Sequence, residues 1–481
     1  MKNQLFTRII SKLLIIAALT VCLCGCSVSD ANKLLGIDGL NGSGSTDDKT
    51  ESETSGNDFP EIVVSKEPTE VPVISIINED DAVITEETIA EEEEVVEEEE
   101  IYDPVGKIYS IAAASPDEIT LTFAGDVGFA EGYSTINVYR QQANGVEDCI
   151  APEVLARMRG TDIMMVNNEF PYSYRGSPTP DKTYTFRADP KDVHIMKDMG
   201  VDIVSLANNH AYDYGPDALI DTIDTLNEAM LPFVGAGKNI EEAMRPAYFK
   251  INGHTISYVS ATQIERYANP DTREATEDSP GVLRTLDPGK TVKVIEVAAA
   301  NSDFTVVYVH WGSESTDLVE QSQRDLAKAY VDAGADLVIG DHSHCLQGID
   351  YVSGVPVFYS LGNYWFNSKT LDTCLVTATL DNDCKISKLE FVPCIQQGSK
   401  VKSGDGDNYD RILQYMRGIS NYAEIDESGL VTESSENHNI QNGQNTSPAK
   451  KVEAPQETPG IEEIPSEGVI VDQFIVDAVQ Q

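Results

Sequence analysis

Residues 202–210 read DIVSLANNH and residues 336–344 read DLVIGDHSH. Each is a short apolar run that breaks off into carboxylates, amides and imidazoles. A run of about five apolar residues is too short for a free helix. Its lack of alternation is what a strand covered on both faces looks like. The same design recurs along the chain. Residues 119–124 run into Asp126, 163–166 into Asn168 and Glu169, 203–207 into Asn208, Asn209 and His210, and 304–310 end on His310. Residues 337–339 lead to Asp341, His342 and His344, and FYSLGN at 358–363 ends in Asn363. Between these runs lie helical patterns at 152–159, 192–199, 216–230, 292–300 and 318–333. The alternation predicts an α/β fold. A hairpin over 247–261 is predicted at Asn252-Gly253, a strong type I′ turn signal. Strands at 355–361, 374–381 and 385–393 read as antiparallel additions.

In α/β sheets, ligands bind beyond the carboxyl ends of the strands. Strand after strand here delivers a polar cluster to that edge. Carboxylate, amide oxygen and imidazole without thiolate suit Mn, Fe or Zn. On an extended backbone His342 and His344 point to one face, because side chains alternate with period two. Both would then face one centre holding one or two divalent ions, which polarise a phosphoryl or carbonyl oxygen and activate water. Each residue alone has a plainer role. Asp126 can cap a helix, Glu169 can be a solvated strand end, and a histidine on an apolar strand can be a core residue. Four of the seven histidines nonetheless fall in these clusters. His194, His254 and His438 read as helix, turn and tail residues, and Trp311 and Tyr364 as packing beside the site. Asp213 either orients His210 or caps the helix that opens at Pro216.

The 481-residue chain carries a net charge of −46. That excludes a general nucleic-acid binder, which needs a basic face. The charge is concentrated at the ends. Residues 47–104 hold 22 acids against 2 bases, including EEEEVVEEEE at 91–100. Residues 27–116 therefore read as a disordered acidic stalk, and 401–481 as a mostly disordered C-terminal extension. Residues 1–26 read as a signal peptide, with Lys2, Arg8 and Lys12 before an apolar stretch of about 11 residues, too short to span a bilayer. The segment ends LCGC and resembles a bacterial lipobox with Cys26 as the lipidated residue. Two acyl chains would give stable anchoring at the extracytoplasmic face of the cell membrane. Cysteines at 149, 345, 374, 384 and 394 have no CxxC spacing and imply neither a thiolate metal site nor a fixed disulfide set.

GD at 125–126, NNE at 167–169, ANNHAYDYG at 207–215, HWGSE at 310–314, GDHSH at 340–344 and FYSLGN at 358–363 appear in that order. Together they resemble the bacterial capsule synthesis protein CapA family of poly-γ-glutamate capsule biosynthesis, over residues 117–400. That family is similar to the calcineurin-like metallophosphoesterases. The resemblance implies an αββα sandwich with a two-metal site and flanking disordered acidic tails. It implies metal ligands Asp126, Glu169 (in place of a bridging aspartate), Asn209, His310, His342 and His344, with His210 as general acid and Asp126 also counted in the catalytic set. The phosphoesterase motif has a histidine two residues after the first aspartate. Gly128 stands there, and Ser343 stands where the capsule family usually has proline. The implied partners are an anionic extracellular polymer or its precursor, the membrane through the lipid anchor, and subunits of a capsule synthesis complex. Two functions fit: a surface-anchored metal-dependent hydrolase or transferase, and a non-catalytic assembly component of a synthesis or export complex. A 5′-nucleotidase-like enzyme fits less well, because it would want a separate aromatic-clamped base-binding domain and the segment before the core, residues 27–104, reads as low-complexity.

Overall fold

The computed structural model describes residues 101–264 and 272–435. The segment read as a signal peptide with Cys26, most of the segment read as a stalk, His438 and the end of the C-terminal extension lie outside the described residues.

Two eight-stranded sheets form the middle of the molecule. The first runs, in spatial order, β1 (Tyr102–Asp103), β2 (Ile108–Ser110), β8 (Ala247–Ile251), β9 (His254–Thr262), β11 (Phe304–His310), β12 (Leu337–Asp341), β14 (Val355–Leu361) and β13 (Leu346–Val352). The second runs β18 (Lys400–Ser403), β17 (Ile386–Gln397), β16 (Leu371–Leu380), β3 (Ile119–Val127), β4 (Ile163–Asn168), β5 (Ile203–Ser205) and β6 (Phe233–Val234), with β15 (Asn363–Trp365) also pairing β3. Two small ribbons pair β7 (Ala236–Gly237) with β10 (Gly281–Val282) and β19 (Ala423–Ile425) with β20 (Val431–Glu433). The strands that carry the polar ends run parallel: β3, β4 and β5 in one sheet, β11, β12 and β14 in the other.

The unbroken apolar runs follow from the layers. Leu121, Phe123, Met165 and Ile203 face inward against Tyr258, Val306, Tyr308, Ile339 and Phe358 of the other sheet. Their sequence neighbours Met164, Val166 and Val204 face outward, onto residues of the helices Pro152–Arg159, His194–Asp198 and Pro216–Glu228. Val259, Val307, Val309 and Val338 do the same on the opposite side, against Val294, Ile295, Leu326 and Tyr330. Each strand residue is thus buried whichever way it points, and the layering is the αββα sandwich. Pro begins two of the helices, where its missing N–H costs nothing. The hairpin turns at Asn252 and Gly253, with φ of 50° and 73°, as the type I′ reading requires.

Several readings are corrected. Residues 355–361 are not simply antiparallel: β14 pairs parallel to β12 and antiparallel to β13. The segment predicted helical at 192–199 opens as a 3₁₀ turn, Pro190–Val193, before the helix proper. The helix predicted from 318 starts at Gln321, where Glu320 and Gln323 form a capping box. Both domain edges move outward. The stalk reading to 116 overran β1 and β2, which join the sheet through β8, with Tyr109 buried beside Phe249. The disordered reading from 401 overran β18, the helix Asp407–Ile419 and the β19–β20 ribbon. Ile412, Leu413 and Met416 of that helix are buried in the inter-sheet core. Leu413→Ala is therefore expected to destabilise the protein by about 2–5 kcal/mol, the range for emptying a buried leucine site. A urea melt that moves by less than about 1 kcal/mol would show the helix to be peripheral.

Candidate metal centre

The polar strand ends meet at one edge between the two sheets. Asp126 lies at the end of β3, where the register against β4 shifts after Phe123. Its carboxylate is fully buried. The neighbouring Gly125 lets β15 come close: a Cβ there would sit 1.9 Å from the Gly362 carbonyl oxygen. Asn167 on β4 donates through Nδ2 to Asp126 Oδ1 at 3.0 Å. Asn208 donates to Asn167 Oδ1 and to the Asn168 carbonyl, both at 2.9 Å, while its own Oδ1 accepts from the His210 amide at 3.0 Å. Three asparagines thus brace the turns that present Glu169, Asn209 and His210.

His310 ends β11 and is held from behind. Its Nδ1 donates to Asp341 Oδ1 at 2.9 Å. Nε2 then turns a lone pair toward Asn209 Oδ1 at 2.8 Å, His342 Nδ1 at 3.0 Å and Glu169 Oε1 at 3.8 Å. A carboxylate behind a histidine is the usual way a metal-ligating imidazole is oriented. On the other side of Glu169, His344 Nδ1 lies 3.2 Å from Asp126 Oδ2 and 2.7 Å from Asn363 Oδ1. The two histidines do not converge by strand alternation, as the sequence reading supposed. The strand has ended at Asp341, and His342 and His344 take positive φ of 87° and 56°, so a left-handed loop brings them in.

His210 stands beside this cluster with Nε2 3.8 Å from Glu169 Oε1. Its Nδ1 donates to Asp213 Oδ2 at 2.7 Å. That settles the two readings of Asp213, since the helix Pro216–Glu228 is preceded by Gly215 with no side-chain cap. Asp213 also accepts from the Phe186 amide at 2.6 Å and from Lys182 Nζ at 2.5 Å, and Lys182 donates again to the Asn209 carbonyl at 2.5 Å. Lys182 is 4% exposed and Asp213 is completely buried. The Phe186 ring covers the His210 imidazole, with ring centres 4.1 Å apart. Trp311 and Tyr364 are packing residues: the indole donates to the Tyr359 carbonyl, and the Tyr364 hydroxyl lies 3.0 Å from Met158 Sδ.

The electrostatics call for positive charge. Glu169 is pushed well above the usual carboxylate range by burial and by Asp126 and Asp341 beside it. Asp341 is raised by burial and by Asp126. Burial also drives His310 down to about 3, and lowers His342 and His210. Asp126 is lowered: burial opposes ionisation, but the hydrogen bond and charge of His344 outweigh it. His344 is raised because Asp126 overcomes its burial. Three carboxylates and mostly neutral imidazoles share a dry volume with one buried lysine nearby. Buried charge of one sign needs a counter-ion or must neutralise.

Two buried oxygens, Glu169 Oε1 and Asp341 Oδ2, have no hydrogen-bond partner. Donor atoms of Glu169, His310 and His342 lie within 4.8 Å of one another, as do those of Asp126, Glu169 and His344 and those of Asp126, His310 and Asp341. The orphaned oxygens and the hard-oxygen and imidazole donors fit divalent cations. All six residues expected to ligate, and His210, are brought together. Sequence reasoning did not assign Asp341 and Asn363, although both stand in the strand-end clusters. It missed Lys182, which lies in a loop with no periodicity to mark it.

The four-layer fold and this centre define a metallophosphoesterase-like α/β protein. The model of the bacterial capsule synthesis protein PGA_cap matches residues 120–368, and the chain belongs to that family. It is 33% identical over 325 residues to the PGA biosynthesis protein CapA of Bacillus subtilis, covering 66% of this chain and 83% of that one. It is 34% identical over 295 residues to the capsule biosynthesis protein CapA of Bacillus anthracis, covering 59% and 69%. A probable polyglutamine synthesis accessory protein of Mycobacterium tuberculosis is 27% identical over 286 residues, covering 52% and 75%.

Proposed function

We propose that the chain serves synthesis of an anionic extracellular polymer of the poly-γ-glutamate type, as a lipid-tethered, metal-dependent hydrolase or transferase. The observation that carries the reading is the convergence of Asp126, Glu169, Asn209, His310, His342 and His344 on one buried edge, with an oriented imidazole, His210, beside them. The relatives, a PGA biosynthesis protein and a capsule biosynthesis protein among them, suggest the polymer. Lipidation at Cys26 would hold the body outside the membrane, with the acidic segment after it as a spacer.

Cations held by the six residues would polarise the phosphoryl oxygen of a phosphoester or the carbonyl oxygen of a γ-glutamyl amide and activate water. The rest falls to side chains. Asp213 fixes the His210 ring and steadies the imidazolium when Nε2 carries a proton, so Nε2 can deliver that proton to a leaving group. Lys182 fixes Asp213. Phe186 keeps water off one face of the imidazole.

Metal analysis of the purified full chain is expected to return one or two transition ions per molecule. Asp126→Asn and His342→Ala are expected to lose metal. Turnover with added Mn²⁺ on a phosphodiester, run beside a γ-glutamyl polymer, assigns the scissile bond. A wild-type chain that holds no metal overturns the reading. The second reading, a non-catalytic assembly component, draws on Gly128, which offers no side-chain donor and where a Cβ would meet Phe366 Cδ2 at 2.9 Å. It predicts that metal-free variants still support polymer production in cells.

A further inference from the structure

Position 128 leaves the cation site of Asp126, Glu169 and His344 one donor short of the phosphoesterase pattern. The segment that follows β14 both closes that position and answers it. Phe366 fills the space a side chain at 128 would need. Three residues earlier, β15 begins at Asn363, which pairs directly with Asp126 across the parallel β15–β3 bridge. The Asn363 side chain is 1% exposed. Its Oδ1 lies 2.7 Å from His344 Nδ1, and Asp126 Oδ2 lies 3.2 Å from the same nitrogen. Two oxygens and one imidazole nitrogen, joined here by hydrogen bonds at that nitrogen, therefore meet at a single corner. Donors that share one cation at bond lengths of about 2.1 Å stand roughly 3 Å apart when their bonds are at right angles. Separations of 2.7 and 3.2 Å match that edge length.

The backbone is arranged for this approach. The Asp126 amide donates to the Gly362 carbonyl at 3.0 Å, and Gly362, with φ of 69°, turns the chain from β14 into β15. Gly125 opposite has no Cβ to hold the two strands apart. The fixed contact places the carboxamide beside the carboxylate.

We propose that Asn363 supplies, through Oδ1, the oxygen donor of the cation site formed by Asp126, Glu169 and His344, in place of the side chain that position 128 does not carry. The assignment rests on the two-cation reading above. Its prediction is a change at one site and not at the other, because Asn209, His310 and His342 serve the second cation without Asn363.

The test is calorimetric titration of Mn²⁺ into the metal-stripped full chain, with metal content and low-temperature EPR of the loaded forms. Wild type is expected to take two ions and show a coupled-pair spectrum. Asn363→Ala is expected to keep one ion at wild-type affinity, weaken the other by about tenfold to a hundredfold or more, and give the spectrum of an isolated ion. Asn363→Asp keeps the oxygen, adds charge and should tighten that same site. A wild type that takes two ions, with an alanine variant that titrates identically, overturns the assignment alone. A wild type that takes none overturns it together with the reading beneath it. Should the alanine variant fail to fold, the aspartate variant decides: affinities unchanged at both sites overturn the assignment.

Discussion

Lys182→Met is expected to lower the stability of the protein by about 3–5 kcal/mol, the cost of stranding one partner of a buried ion pair. The methionine keeps the length of the stem but removes the ammonium that donates to Asp213 Oδ1 and to the Asn209 carbonyl. Asp213 remains completely buried and keeps only the Phe186 amide and His210 Nδ1 as donors. In water an ion pair at this distance contributes little, and salt screens it. Here the lysine side chain is only 4% exposed and the carboxylate is fully buried, so the loss should largely persist at high ionic strength. Chemical denaturation at low and high salt checks both statements. A loss below about 1 kcal/mol, or one that vanishes in salt, would mean that water reaches the pair. The lysine also ties the loop before Phe186 to the turn that carries Asn209 and His210. Metal uptake should therefore weaken in the same variant at temperatures where it is fully folded.

Much of the candidate site was legible because burial and chemistry use opposite residue types. A strand such as β5 is apolar wherever it is covered, so the residue at which the apolar run stops marks where the sheet edge meets a cleft. That logic picked out the strand-end clusters that hold Asp126, Glu169, Asn209, His310, His342 and His344 without any knowledge of which strands are neighbours; the choice of these six within the clusters came from the family resemblance. It could not tell that two sheets, and not one, deliver them. Parallel strands buried on both faces look alike whether they pack beside or on top of one another. The argument from strand period brought His342 and His344 together for the wrong reason, since periodicity says nothing about a loop at positive φ. Lys182 was invisible because a single polar residue between Asp181 and Thr183 reads as surface loop. Its ammonium is drawn in by Asp213 and the Asn209 carbonyl. The edges of the domain failed for a related reason. β2 is three residues long, and the helix Asp407–Ile419 sits close to an acidic tail whose composition dominates the local average.

Replacing His210 by alanine is expected to lower Mn²⁺-dependent turnover by about 10²–10⁴-fold while leaving metal content close to wild type, with some loss of stability because Asp213 loses a buried donor. A positioned acid contributes in that range. His210 is in none of the three donor clusters: its Nε2 lies 3.8 Å from Glu169 Oε1, and its Nδ1 is engaged by Asp213. Removing the ring should thus spare the cations and remove the proton donor. The substrate decides the size of the effect. A leaving group that departs readily as an anion, such as a nitrophenolate, needs no proton and should be cleaved by His210→Ala almost as fast as by wild type. An alkyl ester or a γ-glutamyl amide, whose leaving group must be protonated, should show the full loss. Measuring kcat on both kinds of substrate separates a proton donor from a residue that merely shapes the site. An equal loss on both would place His210 in binding or in support of the cations, and metal analysis of the same preparation tells those two apart.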